Sequence, residues 1–201
     1  MGYYTRVLTK RTACPDFGKL VAALHAEFPG MTLEVDECDP GSWSDLLLSH
    51  ADGTAIASIE RNVVERGSLG ADEVAEFLEG IANARPASAA AWLTTFLGAV
   101  SVVYAFQHLS GTEEARGDEA LRVVQQYIWA LGDAIIQADA EGFTNEDGFH
   151  ILWQFSESVA GTRWMAVLRD GEWQRFEMDL GDALHRAHFL AGAVPPDAKR
   201  G

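Results

Sequence analysis

Along the first residues the apolar positions alternate, and "YYTRVLTKR" at positions 3 to 11, rich in aromatic and β-branched residues, predicts a strand. After Asp16 the spacing changes to three and four. Phe17, Leu20, Val21, Leu24 and Phe28 then fall on one side, which predicts an amphipathic helix. The period returns to two in "MTLEVDEC", where Met31, Leu33 and Val35 take one face and Thr32, Glu34 and Asp36 the other. Pro40 and Gly41 break that pattern before "WSDLLLSH". The Asp52-Gly53 pair between this run and "TAIASIE" has the composition of a hairpin turn, because a type I′ turn needs positive φ at both central residues.

In the middle of the chain the pattern is helical. Val74, Phe77, Leu78 and Ile81 mark a helix over about 71–83, closed by Pro86. From Pro86 to Thr112 there is no Asp, Glu, Lys or Arg, a stretch long enough to span a bilayer. Its Ala, Ser and Thr content, with Gln107 and His108, favours instead a helical segment over 87–109 buried on nearly all sides. A second helix is predicted over 118–138 from the stripe Leu121, Val124, Ile128, Leu131, Ile135 and Ala138. Beyond residue 148 the period is two again. "FHILWQF", "RWMAVLR" and "EWQRFEM" read as strands, the last two joined by Asp170-Gly171, and "GDALHRAHFL" reads as a terminal helix.

These elements predict one α+β domain over 1–201, with an antiparallel sheet from the N- and C-terminal strands packed on central helices. Both ends run helix, strand, strand, Asp-Gly turn, strand, helix. That order is compatible with an internal α-β-β-β-α duplication, with halves 1–85 and 118–190 joined by the apolar segment 87–109. A chain of 201 residues buries roughly 70% of the surface it exposes when unfolded, enough for a substantial core.

Composition changes the picture through charge. Hydrophobic residues are 48% and charged residues 22%, ordinary for a folded protein, but 30 acidic residues against 15 basic ones give a formal charge of -15. Such a field repels phosphate backbones and anionic lipid, so neither nucleic acid nor membrane is an expected partner. The basic stretches "RVLTKR" and "AKRG" are too short for a nucleic-acid footprint. Cys14 and Cys38 fall in different predicted elements and no leader pattern precedes residue 20, so a cytoplasmic protein with reduced thiols is expected.

Chemistry is harder to find. No Gly-x-Ser-x-Gly elbow, thiol-enzyme motif or Gly-x-x-x-x-Gly-Lys phosphate loop occurs, and no cofactor is implied. The best metal candidate is "DALHRAH", where Asp182, His185 and His188 recur every three residues on a helix. His150, or else His50 or His108, would complete the ligand set. The competing reading makes Asp182 a helix N-terminal residue with both histidines half exposed.

Glu34, Asp36, Glu37 and Asp39 gather carboxylates within six positions, followed by Trp43. They are either an acid-base pair, a solvated sheet face, or a charged recognition face with an aromatic anchor. Trp92, Trp153, Trp164 and Trp173 are the candidates for an apolar ligand pocket. The polar stretch "ADAEGFTNEDGFHILW" fails as a calcium loop, because Phe143, Thr144 and His150 stand where an oxygen ligand, Gly and Glu are required. Gly142 instead suits a helix C-cap, "TNEDG" a turn, and His150 the side of the next strand opposite Phe149, Ile151 and Trp153.

The expected function is a non-catalytic, acidic interaction module that recognises a basic protein, as small bacterial inhibitors and immunity proteins neutralise nucleases. The alternatives are a small-molecule-binding module built on the tryptophans and a metal-dependent enzyme built on the Asp182, His185, His188 cluster.

Overall fold

The computed structural model describes residues 2–35, 42–156 and 159–201. In chain order the elements are β1 (Tyr4–Thr9), α1 (Phe17–Glu27), β2 (Thr32–Val35), β3 (Asp45–Ser49), β4 (Ala55–Val63), α2 (Leu69–Ile81), α3 (Ala87–Leu97), β5 (Val102–His108), α4 (Gly117–Trp129), β6 (Ala134–Ala138), β7 (Gly142–Thr144), β8 (His150–Trp153), β9 (Thr162–Arg169), β10 (Glu172–Asp179) and α5 (Ala183–Leu190). The protein is α+β, with mostly antiparallel strand pairing. No helix among the described residues is long and apolar enough to cross a membrane.

The chain forms two compact units, one from Met1–Ala71 with Val100–Ile136, the other from Asp72–Ala99 with Gln137–Gly201. In the first unit the strand order is β2-β3-β4-β5-β1-β6. Alternation decides which side chains enter its core. Leu33, Leu46, Ile59, Phe106, Tyr104 and Val7 share the face covered by α1 and α4. Helix α1 begins where Asp16 accepts a hydrogen bond from the backbone N–H of Lys19 at 2.8 Å, a cap worth about 1 kcal/mol. It buries Leu20 and Leu24 against α4, whose buried stripe is Ala120, Leu121, Val124 and Ile128.

Two helices predicted from the sequence prove to be helix followed by strand. The apolar segment 87–109 is helical only over Ala87–Leu97, and Val102–His108 is the central strand β5. Its first five residues are all buried, so the alternation that signals a strand is missing, while Val102, Val103, Tyr104 and Phe106 carry the β-branched and aromatic bias. The predicted helix 118–138 likewise ends at Trp129. Gly132 and Asp133 take φ of +94° and +52°, reversing the chain, and Ala134–Ala138 continues as β6. Ile135 and Ala138 keep helical spacing with the stripe before them only by coincidence.

Both predicted Asp-Gly turns close hairpins, by different means. Asp170 and Gly171 have φ of +52° and +84°, the type I′ arrangement, between β9 and β10. At the β3–β4 turn only Gly53 is left-handed, the Gly53 N–H bonds the His50 carbonyl, and the ladder shifts register at Leu48 and Ser49.

In the second unit β7 and β8 are antiparallel, β8 meets β9 in parallel at the pair His150 and Met165, and β9 and β10 form the hairpin. Met165, Val167, Phe176 and Met178 face a core completed by Trp153, Leu180 and Phe189 of α5. The backbone of Lys199 and Gly201 pairs with β10 at Glu177 and Arg175. Gly142, expected as a helix cap, lies in β7 with φ of +130°, where a Cβ would stand 2.3 Å from the Leu152 carbonyl oxygen; only glycine permits that approach.

Candidate functional site

Helices cover one face of the β2-β3-β4 sheet and leave the other to solvent. Register places Glu34 beside Leu47 and Leu47 beside Ser58 in one row, and Asp45 directly opposite Glu60 in the next. Glu34, Asp45 and Glu60 are exposed, and Leu47 between them is 38% exposed. Glu34, Val35, Asp45, Leu46, Leu47 and Ser58 outline an open groove of about 400 Å³. Among the described residues none of the three carboxylates forms an ion pair, and Asp45 takes only a 2.6 Å hydrogen bond from the hydroxyl of Ser44. The face thus presents an apolar centre framed by carboxylates that no described cation neutralises, on a sheet ending in the edge strand β2.

The expected interaction residues divide accordingly. Glu34 belongs to this face, and Asp36, Glu37 and Asp39 lie outside the described residues. Trp43 is a correction: it is fully buried in the core of the first unit, its indole N–H donates to the Pro15 carbonyl at 2.9 Å, and its ring lies 5.7 Å from that of Tyr104. A side chain so enclosed anchors the fold and offers nothing to a partner. Asp45 and Glu60, which complete the face, stand 15 positions apart and meet only through the β3–β4 register.

The expected metal residues do not converge. No group of three or more His, Cys, Asp or Glu side chains is placed to hold a metal among the described residues. Asp182 caps α5, accepting from the backbone N–H groups of Leu184 and His185 at 2.7 and 3.1 Å, and these bonds lower its pKa. His185 accepts the Asp179 N–H at Nδ1, 3.2 Å away, so its Nε2 carries the proton toward Asp197 at 3.3 Å. His188 donates from Nδ1 to the Leu184 carbonyl at 2.9 Å. Each ring is committed to its own neighbourhood.

His150, expected on the side of its strand away from Trp153, packs edge-on against that indole with ring centroids 4.7 Å apart. Burial first and the charge of Arg163 second depress its pKa to about 4, so it stays neutral near pH 7. Its Nδ1, the Trp153 indole nitrogen and the Asn145 amide nitrogen are buried without a hydrogen-bond partner among the described residues. Asn145 spends its oxygen on the turn, accepting from Asp147 and Phe149 N–H.

The four tryptophans occupy distinct settings. Trp173 meets Trp92 edge to face at 5.3 Å, and Trp92 stacks on Phe96. Trp164 is 37% exposed, with Phe149 at 6.3 Å and the Lys199 ammonium 5.4 Å from its ring. Trp153 sits in the core with Met165, Val167 and Phe176, whose side chains leave the hairpin on the opposite face from Trp164 and Trp173. No family model, no curated protein and no solved structure matches the chain, so its function has to be read from this geometry.

Proposed function

We propose that the protein is a non-catalytic, cytoplasmic interaction module that captures a basic protein partner on the open face of β2, β3 and β4, in the manner of an inhibitor or immunity protein. One observation carries this reading: Glu34, Asp45 and Glu60 surround exposed Leu47, and among the described residues no cation is paired to them. A sheet face that served only solubility would intersperse Lys and Arg among the carboxylates. Here Asp45 and Glu60 are held opposite each other, an arrangement that costs stability and that a cationic partner relieves. The formal charge of -15 adds long-range attraction, accelerating encounter with a basic protein, while Leu47 supplies apolar area at the centre.

Affinity capture from the source organism tests this, using the wild-type chain and a variant carrying Glu34→Lys, Asp45→Lys and Glu60→Lys as baits. The wild-type bait retains a basic protein that is released as salt rises and the Debye length falls from about 10 Å at 0.1 M to about 3 Å at 1 M. The folded variant retains none of it. Equal retention by both baits, or retention indifferent to salt, removes the reading.

A further inference from the structure

On the helix-covered side of the same sheet, where β1 hands the chain to α1, lies a cavity of about 200 Å³. Tyr104, itself almost wholly buried, lines it, and Tyr127, Ile128 and Leu131 give it an apolar wall. Arg11, Cys14 and Lys19 stand around it. The surround is fixed before any ligand arrives. Thr9 bonds the Gly132 carbonyl at 3.3 Å and accepts the Arg11 N–H at 3.1 Å, the Lys10 N–H reaches the Asp133 carbonyl at 3.0 Å, and Arg11 pairs with Asp133.

Behind Tyr104 stands Arg61. One of its nitrogens donates to the Thr12 carbonyl at 2.7 Å, it works against the rise that burial gives the Tyr104 pKa, and its Nε is buried with no hydrogen-bond partner among the described residues. Among the described residues neither Arg61 nor Lys19 pairs with a carboxylate. The cavity's own carboxylate, Asp16, is engaged in capping α1. Three cations, Arg11, Lys19 and Arg61, therefore face two carboxylates, Asp16 and Asp133, in a chain where acidic residues outnumber basic ones two to one.

We infer that this cavity is a binding site for a small carboxylate with a flat apolar body, held by the Tyr104 hydroxyl and the Lys19 ammonium, with the Arg61 charge behind them. A phenol hydroxyl can donate its hydrogen to a carboxylate, and an ammonium can add a second, charged donor. The apolar wall distinguishes the ligand from inorganic phosphate, which would leave Leu131 facing water. The volume is below the roughly 300–1,000 Å³ of pockets that take drug-sized molecules, which limits the occupant to about ten heavy atoms. Cys14 is a sluggish nucleophile here: burial raises its pKa, outweighing Arg61, and its thiol points to the Trp43 carbonyl at 3.8 Å. It is a slow reporter at the cavity wall.

Phenylacetate, phenylacetamide and inorganic phosphate serve as probes of the full chain, each at about 5 mM, well above the 0.1–1 mM dissociation constant expected for a ligand of about ten heavy atoms. Calorimetry gives the affinity, and peptide mapping after iodoacetamide treatment gives the alkylation rate of Cys14 separately from Cys38. Phenylacetate should bind and slow Cys14 alkylation, and the neutral amide and phosphate should do neither. Lys19→Gln, at an exposed position, should weaken phenylacetate about ten-fold, as should Tyr104→Phe, each by loss of one hydrogen bond to a charged group. Leu131→Trp, placed at the partly exposed rim, should abolish binding while thermal unfolding shows the variant folded. Absence of both heat and Cys14 protection with phenylacetate overturns the assignment, as does equal binding of phenylacetamide or phosphate, or unchanged binding in folded Leu131→Trp. The site is independent of the acidic face, so either can fail without the other.

Discussion

Replacing Glu60 by Lys converts the repulsive cross-strand pair with Asp45 into an attractive one, on a face where both side chains are exposed. Directly opposed side chains lie about 5.5 Å apart, where two unit charges in water interact by roughly 0.75 kcal/mol, reduced to about 0.4 kcal/mol at 0.1 M salt. Reversing the sign therefore contributes about 0.9 kcal/mol of stability. Arg6 lies in the same row two strands away, through Ala105, at roughly 10 Å, and its change from attraction to repulsion costs about 0.3 kcal/mol. Glu and Lys are both disfavoured in strands to a similar degree, so propensity hardly enters. The expected net gain is about 0.6 kcal/mol at 0.1 M salt, rising at lower ionic strength and vanishing near 1 M.

Urea unfolding of wild type and Glu60→Lys at three salt concentrations measures this, with unchanged m values showing that the transition itself is the same. The same substitution should weaken capture of the basic partner. A variant more stable than wild type yet poorer at binding is the signature of a surface kept for recognition. If Glu60→Lys is less stable at low salt, or its gain does not respond to salt, Asp45 and Glu60 do not interact as their register requires and the binding face loses its physical basis.

Two further outcomes follow from other residues. His150 has a folded pKa near 4 against about 6.5 unfolded, so between these values the unfolded chain binds more protons and stability falls as pH falls; above about 6.5 His150 adds no pH dependence, and by pH 4 the loss approaches about 3 kcal/mol. Unfolding midpoints of wild type and His150→Gln between pH 4 and 7 should diverge in slope by about one proton, and parallel curves would refute the burial of a neutral ring. Asp182→Ala removes the cap of α5, so amide exchange at Leu184 and His185 should quicken, while added zinc leaves the melting temperature of wild type unchanged. A zinc-dependent rise lost in the variant would restore the metal reading.

What could be seen in the chain beforehand depends on whether one side of each element meets water. Strands β2 and β3 have a wet face, so Leu33, Leu46 and Leu48 alternate with Glu34, Asp45 and Leu47, and the hairpins announced themselves through Asp-Gly pairs. Helix α1 was legible for the same reason. Strand β5 was not, because Val102 through Phe106 are buried on both faces and an apolar run carries no period. The candidate residues suffered from a different gap. Glu34 was visible as part of a local acidic run, but its partners on the open face, Asp45 and Glu60, are neighbours only through strand pairing. The basic stretch near Lys10 and Arg11 looked too short to matter, since Lys19, Arg61 and Tyr104 join it only when β4, β5 and α1 come together. Trp43 was misread as exposed because it follows carboxylates, and nothing local signals that Pro15 waits for its indole hydrogen.

Adjacent residues of one strand divide the two proposed roles. On β4, Glu60 points to the open face and Arg61 to the helix-covered face, since successive side chains in a strand alternate. The register with β5 sets Glu60 beside Ala105 and Arg61 beside Tyr104, and the register with β3 sets Glu60 beside Asp45. A slip of one residue would carry Arg61 among the carboxylates and bury Glu60 beneath the helices, leaving a buried unpaired charge that costs several kcal/mol. Ile59 and Ala57, which keep the covered face apolar, prevent that slip. The core packing that fixes β4 thus also keeps the negative surface and the positive cavity apart, about one strand thickness from each other. A partner on the open face and a carboxylate in the cavity would then feel each other mainly through the stiffness of β4, not through direct charge contact.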